Sequence, residues 1–382
     1  MTPALPFTLP APAAGAVDLL IIAGEHSGDQ HGAAMLRDVR ARRPELRICA
    51  LGGPELAAAG AQLLHDLTAS SVVGLVEVLK NYSFFKGLFE ATVGWIAQHR
   101  PRAVCFIDYP GFNLRLAAEL HRRRLSVKGG GDIRLAFYIS PQIWAWKAGR
   151  RFTMARHLDA LAVIFPFEVG CYQDTALPVE FVGHPFLAAE HASPVHDDPA
   201  GPVLLLPGSR PQAVRRIFPL LVAGYAAAGC VRPAVVLYPS EAIRAVLEAV
   251  PRPASIELRP GGTGRVGAAA VLTSSGTMSM HCALAGIPGA IVYRANPVTY
   301  WIGRYLVKVP YLGIANLILR EPMYPEYLQG AASPAALAAE LSACLRDPAR
   351  RRRAREQAER LRGALAQPAS ITAGAWLARQ VA

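Results

Sequence analysis

Short apolar runs alternate along the chain with longer stretches in which apolar and polar residues are mixed. The runs occupy residues 17–23, 47–51, 103–108, 133–139, 161–165 and 179–183, and then 202–207, 234–238, 255–258, 269–273 and 289–293. Each run is too short for a helix and almost uninterrupted in hydrophobicity, which is typical of parallel strands covered on both faces. The pattern therefore predicts an α/β protein with two successive βαβ domains.

A segment that contains Pro, Asp and Gly, residues 191–201, separates the two sets of runs. We predict a flexible extension over 1–16, a first domain over 17–196 and a second over 197–345. Residues 346–382 are rich in arginine and in helix-forming residues. We expect basic helices there that pack back on the fold, with contact to anionic lipid as the alternative.

Composition narrows the class of protein. Of 382 residues, 52% are hydrophobic and 18% charged, against roughly 25% charged in an ordinary soluble domain, so a disordered or coiled-coil protein is excluded. The net charge of +12 favours polyanions, anionic lipid or phosphorylated substrates. The six cysteines lie far apart and no metal-type spacing occurs, which indicates reduced packing residues of a cytosolic protein. The sequence contains no run of about twenty apolar residues, so it predicts no membrane span.

Polar residues follow two strands of the first domain at their carboxyl ends, where such sheets bind ligands. The first strand runs into GEHSGDQHG, in which Gly24 and Gly28 permit a tight turn and Ser27 or Asp29 can cap the next helix. Another strand ends in Asp108, beside two aromatic residues and a Pro-Gly turn. A general base belongs in such a place, and the alternative is a helix cap.

Two tryptophans follow a further strand. Gln142, Trp144 and Trp146 precede the cations Lys147, Arg150 and Arg151. The indole faces suit contact with a sugar or an acyl chain, and packing between domains is equally consistent with the sequence.

The second domain has two glycine-containing turns that suit an anion. Gly208, Ser209 and Arg210 follow one strand, and SSGTMSMHCALAG (274–286) follows another. Backbone amides at the N-terminus of a helix attract phosphate. Two such N-termini in one domain indicate a site for a diphosphate. Neither turn has the spacing of a dinucleotide fingerprint or of a P-loop.

An apolar stretch over residues 70–90 has few charges. It is either core or a surface that contacts acyl chains or a bilayer. Its large apolar residues are Val72, Val73, Leu75, Val76, Val78, Leu79, Phe84, Phe85, Leu88 and Phe89.

Many ordered blocks make the sequence resemble the lipid A disaccharide synthase family over about residues 17–345. They include GEHSGD, GGPELAAAG, VVGLVEVL, FIDYPGFN, SPQIWAWKAGR, FPFE, FVGHP, LLLPGSR, SSGT, ALAGIP, YRANPVTY, LVKVPYLGIANLI and PEYLQ. The order and number of these blocks make the resemblance specific.

The resemblance implies a B-type glycosyltransferase fold, with two Rossmann-like domains facing a cleft, the acceptor mainly in the first and UDP in the second. It implies transfer of 2,3-diacylglucosamine from UDP-2,3-diacylglucosamine to the 6-hydroxyl of 2,3-diacylglucosamine 1-phosphate, with inversion, giving a β-1,6 disaccharide and UDP. It also implies a peripheral enzyme on the cytoplasmic face of the inner membrane, docked on its anionic surface through the 70–90 stretch. A homodimer is left open, and no nucleic-acid partner is expected.

The resemblance also suggests roles for single residues. Asp108 matches the essential aspartate, with Glu25 and Asp29 as alternative catalytic carboxylates. UDP is expected at Gly208, Ser209, Arg210, Ser275, Gly276 and Thr277, without metal or other cofactor, and the lack of a DxD motif agrees. Asn316 matches another polar position of the cleft, and His281 stands where many members carry a ribose-binding glutamate.

Two other classes compete with this interpretation. One is another B-type transferase, or a UDP-sugar epimerase, acting on a soluble or polyprenyl-linked sugar. The other is a protein that binds nucleic acid or an anionic surface through its positive charge. The absence of a nucleic-acid-binding motif argues against the second.

Overall fold

The computed structural model describes residues 7–70, 82–188, 191–229, 232–295 and 309–381. The chain divides into two compact units. Unit 1 comprises Met1–Pro185 and Gln367–Ala382, and unit 2 comprises Phe186–Ala366. The division follows Pro185, whereas the sequence analysis placed it after residue 196.

Unit 1 is built, in its described part, on a seven-stranded parallel sheet of order β3-β2-β1-β4-β5-β6-β7. Its strands are β1 Leu19–Ala23, β2 Ile48–Gly52, β3 Gln62–Asp66, β4 Ala103–Ile107, β5 Arg134–Tyr138, β6 Ala160–Val163 and β7 Val179–Phe181. Every residue of β1 and β4 is buried, as expected for apolar runs covered on both faces. The strand order reverses between β1 and β4, which opens a ligand crevice at their carboxyl ends.

Helices connect these strands. They are α1 His26–Arg42, α2 Pro54–Ala58, α3 Leu67–Ser70, α4 Tyr82–His99, α5 Pro110–Arg122 and α6 Arg150–His157, with 3-10 helices at Val127–Gly129, Pro166–Tyr172 and Pro185–Leu187. Within the described ranges, no helix combines the length and the hydrophobicity that crossing a bilayer requires.

The first described residues are anchored on unit 1. Trp95 Nε1 donates to the carbonyl oxygen of Pro10 at 2.8 Å, and Gln62 Nε2 donates to that of Ala11 at 2.9 Å. The Phe7 ring meets the Phe84 ring edge to face at 5.4 Å between centroids. These residues belong to the segment 1–16 that was predicted to be a flexible extension, and the described part of that segment packs on unit 1.

Unit 2 repeats the same order in its described strands, β11-β10-β9-β13-β14-β15, with β8 and β12 forming a separate parallel pair. The strands are β8 Val195–Asp197, β9 Val203–Leu206, β10 Ala234–Tyr238, β11 Ile256–Pro260, β12 Val266–Ala268, β13 Ala270–Thr273, β14 Gly289–Tyr293 and β15 Glu326–Leu328. The helices are α7 Pro211–Ala227, α8 Glu241–Glu248, α9 Thr277–Leu284, α10 Ile314–Leu319, α11 Pro334–Arg346 and α12 Pro348–Leu365, with a 3-10 helix at Gln329–Ala331. The order reverses between β9 and β13, so each unit has the switch point of a Rossmann-like sheet. The predicted α/β fold with two such domains is confirmed.

The basic tail forms two helices that pack on the fold. In α12, Arg350 pairs with Glu340 at 3.0 Å, and Arg351 and Arg355 both pair with Asp197. The last helix, α13 Ala373–Gln380, belongs to unit 1 and buries Trp376 completely. Part of the positive charge of the tail is therefore used in ion pairs within the protein.

Candidate active site

Asp108 lies directly after β4 in an unusual backbone conformation. The φ angles of Asp108 and Tyr109 are 43° and 50°, in the left-handed region that residues other than glycine seldom adopt and that clusters at functional sites. The Asp108 amide donates to the carbonyl of Tyr138 at 3.0 Å, and Asn113 Nδ2 donates to the Asp108 carbonyl at 2.8 Å. These bonds hold the half-buried Asp108 at the carboxyl end of the sheet.

Gly24 allows the turn after β1 to approach Asp108. A Cβ atom on Gly24 would lie 2.2 Å from Cδ1 of Tyr109, so the tyrosine ring occupies the space that any side chain would need. Glu25 follows at the N-cap of α1 and is half-buried. Since β1 and β4 are neighbouring parallel strands, the structure brings Glu25 and Asp108 to the same edge of the sheet.

Asp29 has a structural role. It is completely buried, and its carboxylate accepts hydrogen bonds from the amides of Gly53, Glu55 and Leu56 at 2.8, 3.0 and 3.2 Å. Because α1 begins at His26, Asp29 lies in the first turn and fixes the start of α2 instead of capping its own helix. The expectation that Asp29 is an alternative catalytic carboxylate is therefore wrong.

Glu168 is a candidate that the sequence analysis missed. Its side chain accepts from Trp144 Nε1 and from the Phe165 amide, both at 3.2 Å, and the residue is 1% exposed. Burial raises the pKa of this carboxyl to about 8, and the charge of Asp108 acts in the same direction. Glu168 is thus protonated at neutral pH, near Asp108.

Gln142, Trp144 and Trp146 follow β5, the neighbour of β4, at the same sheet edge as Asp108. Gln142 is exposed, and its carbonyl accepts from the amide of Trp146 at 3.2 Å. The half-buried Trp144 meets Phe167 edge to face at 5.5 Å. The predicted substrate-contact residues therefore lie together in unit 1.

The predicted acyl-contact stretch is described only in part, since Val72, Val73, Leu75, Val76, Val78 and Leu79 lie outside the described residues. Phe84 and Phe85 are half-buried in α4, and Phe89 packs against Phe112 with centroids 5.7 Å apart. Leu88 is completely buried in the core, so its predicted contact with acyl chains is wrong.

In unit 2, the turn after β9 approaches the end of β13 closely. Gly208 has a φ of 108°, and a Cβ there would lie 3.0 Å from Ser274 Oγ. Ser209 and Arg210 are exposed, and Arg210 is the N-cap of α7. Glycine is thus required both by the backbone conformation and by the close approach.

A second helix begins beside this turn. Gly276 is the N-cap of α9, Gly276 and Thr277 are exposed, and Ser275 is half-buried. Neither α7 nor α9 has an acidic residue in its first turn. Because β9 and β13 are adjacent and parallel, two helix N-termini lie at one edge of the sheet, an arrangement that favours an anion with more than one charge.

His281 lies one turn further along α9 and is 6% exposed. Its ring stacks on Phe186 at 3.9 Å and on His191 at 5.1 Å between centroids. It lines a cavity of about 360 Å³ together with Arg265 and Arg362. Its contact with a ribose stays a prediction.

Asn316 is completely buried at the start of α10. Its Nδ2 donates to the Tyr324 carbonyl at 2.7 Å and to Glu326 Oε1 at 2.9 Å, and its Oδ1 accepts from the Tyr324 amide at 2.9 Å. Both polar atoms therefore join α10 to the segment before β15. The place of Asn316 in the substrate cleft, which the resemblance implies, stays a prediction.

Comparison with known proteins adds independent findings. The family model described as lipid-A-disaccharide synthetase matches residues 19–381. The chain is 36% identical over 347 residues to the lipid-A-disaccharide synthase of Nitrosococcus oceani, covering 87% of this chain and 88% of that protein. It is 35% identical over 377 residues to that of Syntrophus aciditrophicus, covering 94% and 96% of the two chains.

Solved structures share the fold at low sequence identity. The glycotransferase of kitacinnamycin matches with a TM-score of 0.57 at 14% identity, covering 96% of this chain and all of that one. A spinosyn rhamnosyltransferase matches with a TM-score of 0.54 at 12% identity, with 96% and 100% covered. These structures show the fold alone, whereas the family model and the relatives span most of the chain. The chain belongs to the lipid-A-disaccharide synthase family.

Proposed function

We propose that this enzyme transfers 2,3-diacylglucosamine from UDP to the 6-hydroxyl of 2,3-diacylglucosamine 1-phosphate and releases UDP. Family membership supports a glycosyltransferase that forms the lipid A disaccharide. The observation that carries the assignment of the chemistry is Asp108, which is held in a left-handed backbone at the switch point of unit 1.

Asp108 acts as the general base in this proposal. The acceptor oxygen forms a bond to the anomeric carbon of the donor while the bond from that carbon to the diphosphate breaks. The hydroxyl proton passes to the Asp108 carboxylate, and UDP leaves with the bonding electron pair. Attack opposite the leaving group inverts the anomeric carbon and gives the β-1,6 linkage.

Unit 2 holds the leaving group in this proposal. The exposed guanidinium of Arg210, the turn at Gly208 and Ser209, and the N-terminus of α9 offer positive charge and backbone donors to the diphosphate. The same groups stabilise the negative charge that develops as UDP leaves. We propose that these groups hold the diphosphate without a metal or other cofactor.

Glu168 supports the base indirectly. A second carboxylate near Asp108 would disfavour its negative charge, and the raised pKa of Glu168 keeps that neighbour neutral at pH 7. Its bonds with Trp144 and Phe165 also join the loops that follow β5 and β6. Glu168 is thus a positioning residue.

The acylated substrates place the reaction at a bilayer. We therefore propose a peripheral enzyme at the cytoplasmic face of the inner membrane, with acyl contacts from the half-buried Phe84, Phe85 and Phe89 of α4.

The test uses the full chain, UDP-2,3-diacylglucosamine and 2,3-diacylglucosamine 1-phosphate in detergent micelles. Mass spectrometry of the lipid fraction and an assay for free UDP should detect disaccharide 1-phosphate and UDP in equal amounts. A parallel reaction offers water-soluble N-acetylglucosamine as acceptor. Absence of a lipid product, or faster transfer to the soluble sugar, would contradict the proposal.

A further inference from the structure

Exposed large apolar side chains cluster around α6 in unit 1. Among the described residues, those with the greatest exposure are Val127, Trp146, Phe152 and Phe167, at 47%, 38%, 51% and 44%. Trp146 precedes α6, Phe152 belongs to it, and Phe167 lies in the 3-10 helix Pro166–Tyr172. Val127 adjoins Lys128, whose Nζ donates to the Ala155 carbonyl of α6 at 2.7 Å. Single exposed apolar residues are ordinary, but several of them in and beside one helix indicate an interaction surface.

Ring stacking holds Phe167 in place. Phe167 stacks on Phe165 with centroids 5.6 Å apart and planes inclined by 16°, and it meets Trp144 edge to face. The outward position of Phe167 is therefore supported from beneath by two other rings.

Cations accompany the exposed rings. Lys147 Nζ lies 4.6 Å and Arg150 Cζ 5.4 Å from the centroid of the Trp146 ring, and Arg151 Cζ lies 4.2 Å from that of Phe152. Arg151 also pairs with Asp174 at 2.7 Å. In the part of the chain that the structure describes, no carboxylate lies within ion-pair distance of Lys147 or Arg150.

The local sequence is uniformly basic. Residues 139–157, ISPQIWAWKAGRRFTMARH, contain one lysine, three arginines and no acidic residue. Aromatic rings beside lysine and arginine form the composition that settles at a bilayer surface, because the rings enter the boundary between headgroups and acyl chains while the cations meet lipid phosphates.

We propose that Trp146, Lys147, Arg150, Phe152 and Phe167, here called the α6 surface, dock the protein on an anionic bilayer. The inference rests on the proposed function, since lipid substrates require an approach to the membrane. It extends that function by assigning contact to a surface outside the 70–90 stretch.

The position of the α6 surface also suits the reaction. Trp146 and Lys147 follow β5, which is paired in parallel with β4 along its length. Asp108 follows β4, so the carboxyl edge of the sheet carries both the base and part of the docking surface. Docking through the α6 surface therefore presents this edge to hydroxyl groups at the level of the headgroups.

The first experiment measures binding of the full chain to vesicles. One set contains phosphatidylethanolamine and phosphatidylglycerol, and the other contains phosphatidylcholine alone. The double variant Lys147→Ser/Phe152→Ser should bind anionic vesicles about tenfold more weakly than the wild type or worse. The matched control Arg352→Ser/Arg353→Ser removes two exposed cations from α12 and should bind like the wild type. Thermal unfolding of each variant verifies that it is folded.

A second readout locates the contact. Trp146 is exposed, while Trp95 and Trp376 are buried, so brominated lipid should quench the wild type more than Trp146→Phe. Equal binding by the double variant and wild type, equal losses in the double variant and the α12 control, or unchanged quenching in Trp146→Phe would overturn the proposal. Equal affinity of the wild type for the two vesicle sets would also overturn the proposal. Binding of the wild type to an acidic protein but not to lipid vesicles would overturn it as well.

Transfer in micelles, measured on the same wild-type preparation, separates the two claims. If the wild type catalyses transfer and the double variant binds vesicles as well as the wild type does, docking through the α6 surface is refuted and the proposed function stands. Absence of transfer refutes the proposed function, and with it the basis of the docking proposal.

Discussion

Replacing Glu168 by glutamine should remove a large pH dependence of stability. An ordinary glutamate ionises at a pKa of 4.5, whereas burial raises the pKa of Glu168 to about 8 in the folded protein. Between these values the unfolded chain releases the proton and the folded chain retains it. The unfolded state then binds fewer protons, so stability falls as the pH rises from 4.5 to 8.

The structure sets the size of this effect. Each pH unit within the window costs the folded state about 1.4 kcal/mol, which amounts to about 2.7 kcal/mol between pH 5 and pH 7. Glutamine has nearly the shape of the protonated acid and carries no ionisable proton, so Glu168→Gln should lack this loss. Its oxygen can still accept from Trp144 or from the Phe165 amide.

The assay is denaturant unfolding at several pH values, followed by tryptophan fluorescence. The difference in unfolding free energy between Glu168→Gln and the wild type should grow in favour of the variant as the pH rises from 5 to 7. Glu119→Gln is the matched control. Arg122 and Arg123 lower the pKa of Glu119 to about 2 in the folded protein, so Glu119 is ionised in both the folded and the unfolded protein in this pH range. Parallel pH profiles for Glu168→Gln and the wild type would refute the reasoning.

Three further changes test the site and its supports. Gly24→Ala places a Cβ atom on the Tyr109 ring and should lower kcat roughly 100-fold by displacing Asp108, whereas steady-state kinetics with unchanged kcat would contradict the close approach. Asp29→Ala leaves three amides, two of them buried, without an acceptor and should lower the free energy of unfolding by about 3 kcal/mol in denaturant titrations; a change near zero would remove its structural role. Arg210→Ala should weaken UDP binding roughly 10- to 100-fold in calorimetry, and an unchanged Kd would exclude Arg210 from the diphosphate site.

The interior of each sheet could be predicted from sequence because burial on both faces leaves a continuous apolar run. LLIIA in β1 and AVCFI in β4 are such runs. β3 and β15, QLLHD and EYL, are edge strands that are mostly half-buried. Their mixed composition did not predict strands, because an edge strand needs only part of its surface to be apolar.

The candidate site was predictable where chemistry follows a strand end and unpredictable where it depends on distant contacts. Asp108 and the turn at Gly208 follow apolar runs directly. Glu168 owes its raised pKa to burial, and its carboxyl accepts from Trp144, twenty-four residues away. No local sequence pattern predicts either the burial or that contact. Asp29 was misassigned for the same reason, since sequence does not reveal which polar side chains turn inward to amides of other segments.

The most direct measurement of the central claim compares Asp108→Asn with the wild type in both transfer and UDP binding. Asparagine keeps the size of the side chain and cannot accept the hydroxyl proton, so the rate of disaccharide formation should fall roughly 100-fold or more. The Kd for UDP, measured by calorimetry, should stay at the wild-type value because the proposed UDP site lies in unit 2. Disaccharide formation by Asp108→Asn at the wild-type rate would contradict the account.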